Sequence, residues 1–188
     1  HYHPTNAIFL TFGNRAPELL QGIFNDKINH FKQPLSRRFQ IPDEQRYPSP
    51  LTISCGYPSS RTEKQTHIVL GWLADLNSDV DDFLDWSLLS ELLLNNSASP
   101  LRQALDQYPH AEASSSLSGL ASDQREMAFI CGVEGSDAEH ADGVEKLVMR
   151  VLRHVAREGF DAESVAAILQ QLTLSQREIR GSRYPYGL

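Results

Sequence analysis

Residues Glu126 to Asp161 read EMAFICGVEGSDAEHADGVEKLVMRVLRHVAREGFD. The first part, Glu126–Val133, is rich in β-formers and predicts a strand. Ser136-Asp137-Ala138-Glu139 has the pattern of a capping box, a hydroxyl at a helix entrance with a carboxylate three positions on. Behind it Val144, Leu147, Val148, Val151, Leu152 and Val155 recur at helical spacing, and Gly159 is placed to stop the helix. Asp161 then caps a second helix, with Val165, Ile168, Leu169, Leu172 and Ile179 on its inner face. A strand followed by two helices with apolar stripes requires a surface on which those stripes are buried, and a sheet face supplies it.

Working outward, Ser114–Leu120 predicts a strand paired with Glu126–Val133. Ser99 with Pro100 at the first helical position starts a short helix through Leu105. Asp79 caps a helix from Val80 to about Asn95, apolar at Phe83, Leu84, Trp86, Leu88, Leu89, Leu92 and Leu93 and expected to be buried on more than one face. Thr66–Leu73 is a strong strand and Leu51–Cys55 a candidate one. The whole predicts an α+β layer fold, a mainly antiparallel sheet with helices packed on one face. Further upstream, Ala7–Phe12 reads as a strand closed by Gly13-Asn14. Ala16-Pro17 opens a helix with Leu19, Leu20, Ile23, Phe24, Ile28 and Phe31 at helical spacing. From Gln33 to Pro50 the pattern is interrupted by Pro34, Pro42, Pro48 and Pro50, a linker composition. The expected division is 1–32, a linker 33–50, and a main domain 51–188.

The chain has 188 residues, 40% hydrophobic and 22% charged, the composition of a folded domain. Its net charge of -7 argues against nucleic acid or an anionic membrane as partner, because phosphate binding needs clustered Lys and Arg. No apolar run approaches the roughly 20 residues of a membrane span. Cys55 and Cys131 are the two cysteines; each lies in a strand-like apolar run, which predicts buried free thiols in a reducing, cytoplasmic compartment. The first residue is His1, and no leader pattern opens the chain, so the true N-terminus is expected upstream.

No residue reads as catalytic, cofactor-binding or metal-ligating. The histidines His1, His3, His30, His67, His110, His140 and His154 include no i, i+4 pair with an adjacent Glu, the arrangement that turns two imidazoles and a base toward one zinc. His1 and His3 share a face on a strand, but two ligands make no closed site. Ser115, Ser116 and Ser118 offer hydroxyls without a nucleophile elbow around them. Asp79, Asp81, Asp82 and Asp85 suit a helix N-terminus and lack the glycine and terminal Glu of a calcium loop. Asn95-Asn96-Ser97 fits a glycosylation pattern, and its expected role is to end the preceding helix.

Several stretches carry a resemblance. His1–Asn14 (HYHPTNAIFLTFGN), Ser97–Leu105 (SASPLRQAL), Arg125–Gly135 (REMAFICGVEG), Arg157–Asp161 (REGFD), Gln170–Glu178 (QQLTLSQRE) and Ser182–Leu188 (SRYPYGL) together resemble the M16 family (pitrilysin/insulinase-like) of zinc metallopeptidases, in its presequence protease-like branch. Gln170-Gln171 and Tyr108-Pro109-His110 depart from that branch's pattern. The resemblance implies the LuxS/MPP-like layer fold. It makes residues 1–32 the closing strand and helix of a first, catalytic domain, and 51–188 most of a second, non-catalytic one. It also implies a parent that degrades unfolded peptides with zinc held by a His-x-x-Glu-His motif upstream of His1, and with its intermediate-stabilising Arg and Tyr beyond Leu188. The chain itself is then expected to hold no cofactor, to be inactive alone, and to form chamber wall against the rest of the parent chain. The alternative is a zinc-less M16-like structural or peptide-binding subunit. A third, weaker candidate is an independent hydrolase using the Ser115–Ser118 segment. The strand at Ala7–Phe12, cut from its sheet, is expected to pack on the second domain or to drive self-association.

Overall fold

Strand β4 (Glu126–Ser136) is the axis of the sheet. The structure is a computed structural model and describes residues 3–31, 42–60 and 63–177. On one side β4 pairs antiparallel with β1 (Thr66–Leu76), with Ile68 opposite Val133, Leu70 opposite Cys131 and Trp72 opposite Phe129. On its other side two short antiparallel strands follow one another: β2 (Ala113–Ser114) lies against Glu134 and Val133, and β3 (Gly119–Ala121) against Ile130 to Ala128. The strand expected over Ser114–Leu120 is therefore broken by a turn, in which Ser118 N donates to Ser115 O at 3.0 Å.

Because side chains alternate along a strand, Ile68, Leu70 and Trp72 share one face with Phe129, Cys131 and Val133. Helices α2 (Val80–Leu94), α3 (Pro100–Asp106) and α4 (Ala141–Glu158) cover it, contributing Leu93 and Leu94, Leu101 and Leu105, and Val144 and Val148 to one core. Helix α5 (Ala162–Arg177) packs on α2. The opposite face carries Val69, Gly71, Leu73, Ala128, Ile130 and Gly132, and Val69 and Leu73 remain 40% and 39% exposed. This is the α+β arrangement expected, an antiparallel sheet with helices on one face.

Local signals place the helix ends. Asp79 Oδ1 accepts from the N–H groups of Asp81 and Asp82, at 3.0 and 3.3 Å, and opens α2. Asp161 Oδ1 accepts from Ser164 N at 2.8 Å and opens α5. Gly159, at φ +74°, takes the left-handed turn that ends α4. The capping box at Ser136 does not form. Ser136 is the last residue of β4, opposite Thr66, and its fully buried hydroxyl donates to His110 O at 2.7 Å. A 3-10 turn, Ala138–His140, then leads into α4. The sheet claims this serine before the helix can.

Residues 1–43 and 44–188 form separate compact units. In the first, α1 (Pro17–Ile28) follows a 3-10 turn at Pro4–Asn6, and Phe9 meets Phe24 at a ring-centroid distance of 5.0 Å. Two expected strands are corrected. Ala7–Phe12 and Leu51–Cys55 form no ladder among the described residues; Ile8 is 97% and Ile53 72% exposed. β-forming composition makes a strand only where its backbone groups pair with those of a partner strand. Cys55, expected to be buried, is exposed accordingly, whereas Cys131 is buried in β4. Half of the expected linker (residues 33–41), Ile179 and the stretch 182–188 lie outside the described residues.

Candidate functional site

A groove of about 330 Å³ opens between α2, β3 and α5. Phe83, Leu84 and Leu94 form one wall, Gly119 and Leu120 the other, and Leu172 closes one end. Its polar lining comprises Ser87, Ser90, Glu91, Asn95, Ser118 and Ser122. The Ser118 hydroxyl is buried there without a hydrogen-bond partner. Glu91 is the one ionisable residue of the lining, so the groove has no acid–base pair.

Of the candidate serines, Ser115 and Ser116 are held in local hydrogen bonds. Ser115 is 3% exposed and its Oγ accepts from Leu117 N at 3.2 Å. Ser116 Oγ donates to Glu134 Oε2 at 3.4 Å, and His67 Nδ1 lies 3.8 Å from the same oxygen. Hydroxyl, carboxylate and imidazole thus converge, but in the wrong order: the carboxylate stands between the other two, where a base should stand between nucleophile and carboxylate. Nothing in the sequence signalled this cluster, because its members come from β1, β4 and the β2–β3 turn.

The other histidines are scattered. His3 Nδ1 lies 2.8 Å from Thr5 Oγ1, His30 packs on Phe31, and His154 is exposed on α4. His110 and His140 stack at 4.2 Å with 18° between their planes. Among the described residues no three His, Cys, Asp or Glu side chains are placed to hold a metal ion, so this donor set does not fit a zinc site. No helix among them is long and apolar enough to cross a membrane.

The acidic entrance of α2 shows the electrostatic cost of its composition. Partial desolvation, then Asp79, Asp75, Asp85 and Asp81, raise the Asp82 carboxyl above the ordinary carboxylate value. At Asp106 desolvation pulls upward but is outweighed by the Arg102 guanidinium, 2.7 Å away, and by Ser114, so this carboxyl is lowered. Burial pushes the Cys131 thiol up to about 12. These are the shifts of caps, ion pairs and core, and none sits opposite a partner that would put it to catalytic use.

An antiparallel sheet with helices on one face describes an α+β layer domain. The profile described as "Peptidase M16 inactive domain" matches residues 1–172, and the chain belongs to that family. Among curated proteins it is 31% identical over 182 residues to the mitochondrial presequence protease of Xenopus tropicalis, covering 94% of this chain and 18% of that protein. It is 29% identical over 193 residues to presequence protease 1, chloroplastic/mitochondrial, of Arabidopsis thaliana, covering 100% of this chain and 18% of that protein. With the mitochondrial presequence protease of Mus musculus the identity is 30% over 182 residues, with 94% and 18% covered. The chain thus spans about a fifth of the length of these relatives. Their names overturn the cytoplasmic reading: they are mitochondrial or chloroplastic/mitochondrial proteins. Unpaired thiols indicate a reducing environment and do not single out a compartment.

Proposed function

We propose that this chain is the non-catalytic part of an M16-type zinc metallopeptidase that degrades unfolded peptides, forming chamber wall and packing against the catalytic domain of the same protein. The match to the family's inactive domain over residues 1–172 carries this reading. In it, residues 1–32 end the first domain, 33–50 connect, and 51–188 make most of the second. Zinc belongs to the catalytic domain, and no residue of this chain is catalytic or a metal ligand. The chain alone is expected to bind no stoichiometric zinc and to hydrolyse no peptide. Metal analysis of the purified chain, with a fluorogenic peptide assay, tests it. A tightly held zinc, or hydrolysis that survives removal of contaminating peptidases, would overturn it. Self-association of the isolated chain, which light scattering would detect, is expected from its exposed apolar residues Ile8, Leu10 and Phe12.

A further inference from the structure

Two anchors tie the segment between Arg46 and Tyr57 to the two ends of β1. At one end Arg46 Nη2 donates to Ala74 O at 3.0 Å and pairs with Glu126 Oε1 at 2.9 Å, while Glu44 N donates to the Glu126 carboxylate. At the other end the Tyr57 hydroxyl donates to Gln65 O, and its ring meets His67 edge-on at 5.5 Å. Arg46 is thus tied to the end of β1 and Tyr57 to its start, so the chain between them runs antiparallel to β1.

The segment is long enough to run the length of β1. The strand from Gln65 to Ala74 covers roughly 30 Å at about 3.3 Å per residue. Fully extended, the chain from Arg46 to Tyr57 reaches no more than roughly 36–40 Å, and a bend at Pro48-Ser49 uses part of that. Within it Leu51-Thr52-Ile53-Ser54-Cys55 alternates apolar and polar residues, the period of a strand. Strand β1 is terminal in the sheet, so its outer N–H and C=O groups have no ladder. Among the described residues no ladder joins 51–55 to it, and Leu51 is 57% exposed.

We propose that residues 51–55 are a strap that closes as a fifth, antiparallel strand on the free edge of β1, with Ile53 opposite Val69, and that the structure shows it open. Closure satisfies the outward backbone groups of β1 and sets Leu51, Ile53 and Cys55 beside Gly71, Val69 and His67, extending the uncovered apolar face. It also withdraws a long bare edge from pairing with other chains.

Disulfide trapping in the 188-residue chain tests the register. Antiparallel partners lie about 4.5–5.5 Å apart at Cα, inside the range a disulfide spans. In a Cys55→Ser background, Ile53→Cys with Val69→Cys is expected to cross-link on mild oxidation at least about tenfold faster than Ile53→Cys with Leu73→Cys, whose partner sits roughly 13 Å further along the strand. All these positions are exposed, so the fold does not depend on them. In the unmodified chain the amides of residues 51–55 are expected to exchange at least about tenfold more slowly than free chain, and to lose that protection in Arg46→Ala with Tyr57→Phe. Cross-linking blind to register, or free-chain exchange at 51–55 in the unmodified protein, would each overturn the strap.

Discussion

Replacing Gly132 by alanine probes the closest approach in the sheet. A Cβ at Gly132 would lie 2.1 Å from Ile68 O and 2.8 Å from Val69 Cα. Both are backbone atoms of the facing strand, so no rotamer change relieves the clash, and β1 itself must move. A comfortable carbon–oxygen contact is about 3.3–3.6 Å, so the retreat exceeds an ångström and disrupts ladder bonds near the irregularity between Thr66 and Ile68. Overpacking costs about 1–3 kcal/mol, and one or two weakened hydrogen bonds add about 1 kcal/mol each. The expected loss is roughly 2–5 kcal/mol, a large share of the 5–15 kcal/mol typical of a domain, or about 4–20 °C in Tm. Gly71 is the matched control: it lies opposite Ile130, and its added Cβ meets only Phe129 O, at 4.0 Å. There alanine relieves the entropic cost of glycine in a strand, and Gly71→Ala is expected to be neutral or stabilising by up to about 0.5–1 kcal/mol. Urea unfolding followed by tryptophan fluorescence reads both, since Trp72 and Trp86 flank Phe129 at 6.1 and 6.3 Å. Equal midpoints for the two variants would refute the steric account.

Ser136→Ala removes the donor to His110 O inside the fold and should cost about 1–3 kcal/mol in the same assay; Ser136→Thr, which keeps the hydroxyl, should recover part of it. Cys55 should alkylate in the native protein while Cys131, buried and pushed up to about 12, reacts only on unfolding; mass spectrometry of iodoacetamide adducts counts one label before denaturation and two after. Asp106 and Asp82 should respond to pH with opposite signs. The lowered Asp106 carboxyl contributes stability that is fully present above its unfolded value near 3.8 and is lost as pH falls through its folded value, so Asp106→Asn should destabilise at pH 7 and less in acid. The raised Asp82 carboxyl favours the folded state when protonated, and that advantage is gone above its folded value, so Asp82→Asn should stabilise at pH 7; unfolding curves at pH 7 and pH 3 decide both.

Elements that carry their own boundary signals were legible in the sequence. Asp79 and Asp161 make the caps their positions promise, Pro100 stands at the first helical position, and Gly159 ends α4. Such signals are local: one side chain and the next few amides decide them. The misses share a non-local cause. Ser136 has a capping neighbourhood, yet the carbonyl that claims its hydroxyl belongs to His110, and no short window of sequence contains that choice. Leu51–Cys55 and Ala7–Phe12 have strand composition, but a strand needs a partner edge, and composition does not name one. The groove joins Glu91, Ser118 and Leu172 from three distant segments, so spacing along the chain could not reveal it.

The same distinction separates what stabilises this domain from what it can offer a partner. Leu101, Val144 and Val148 are fully buried on the helix side, and truncating any of them should cost about 2–5 kcal/mol for a leucine and somewhat less for a valine. Val69 and Leu73, on the side away from the helices, keep about two-fifths of their surface in water, so truncating them forfeits less burial than truncating the fully buried residues on the helix side. Val69 and Leu73, together with the edge strand that carries them, are the part of the sheet that the described helices leave open to a partner.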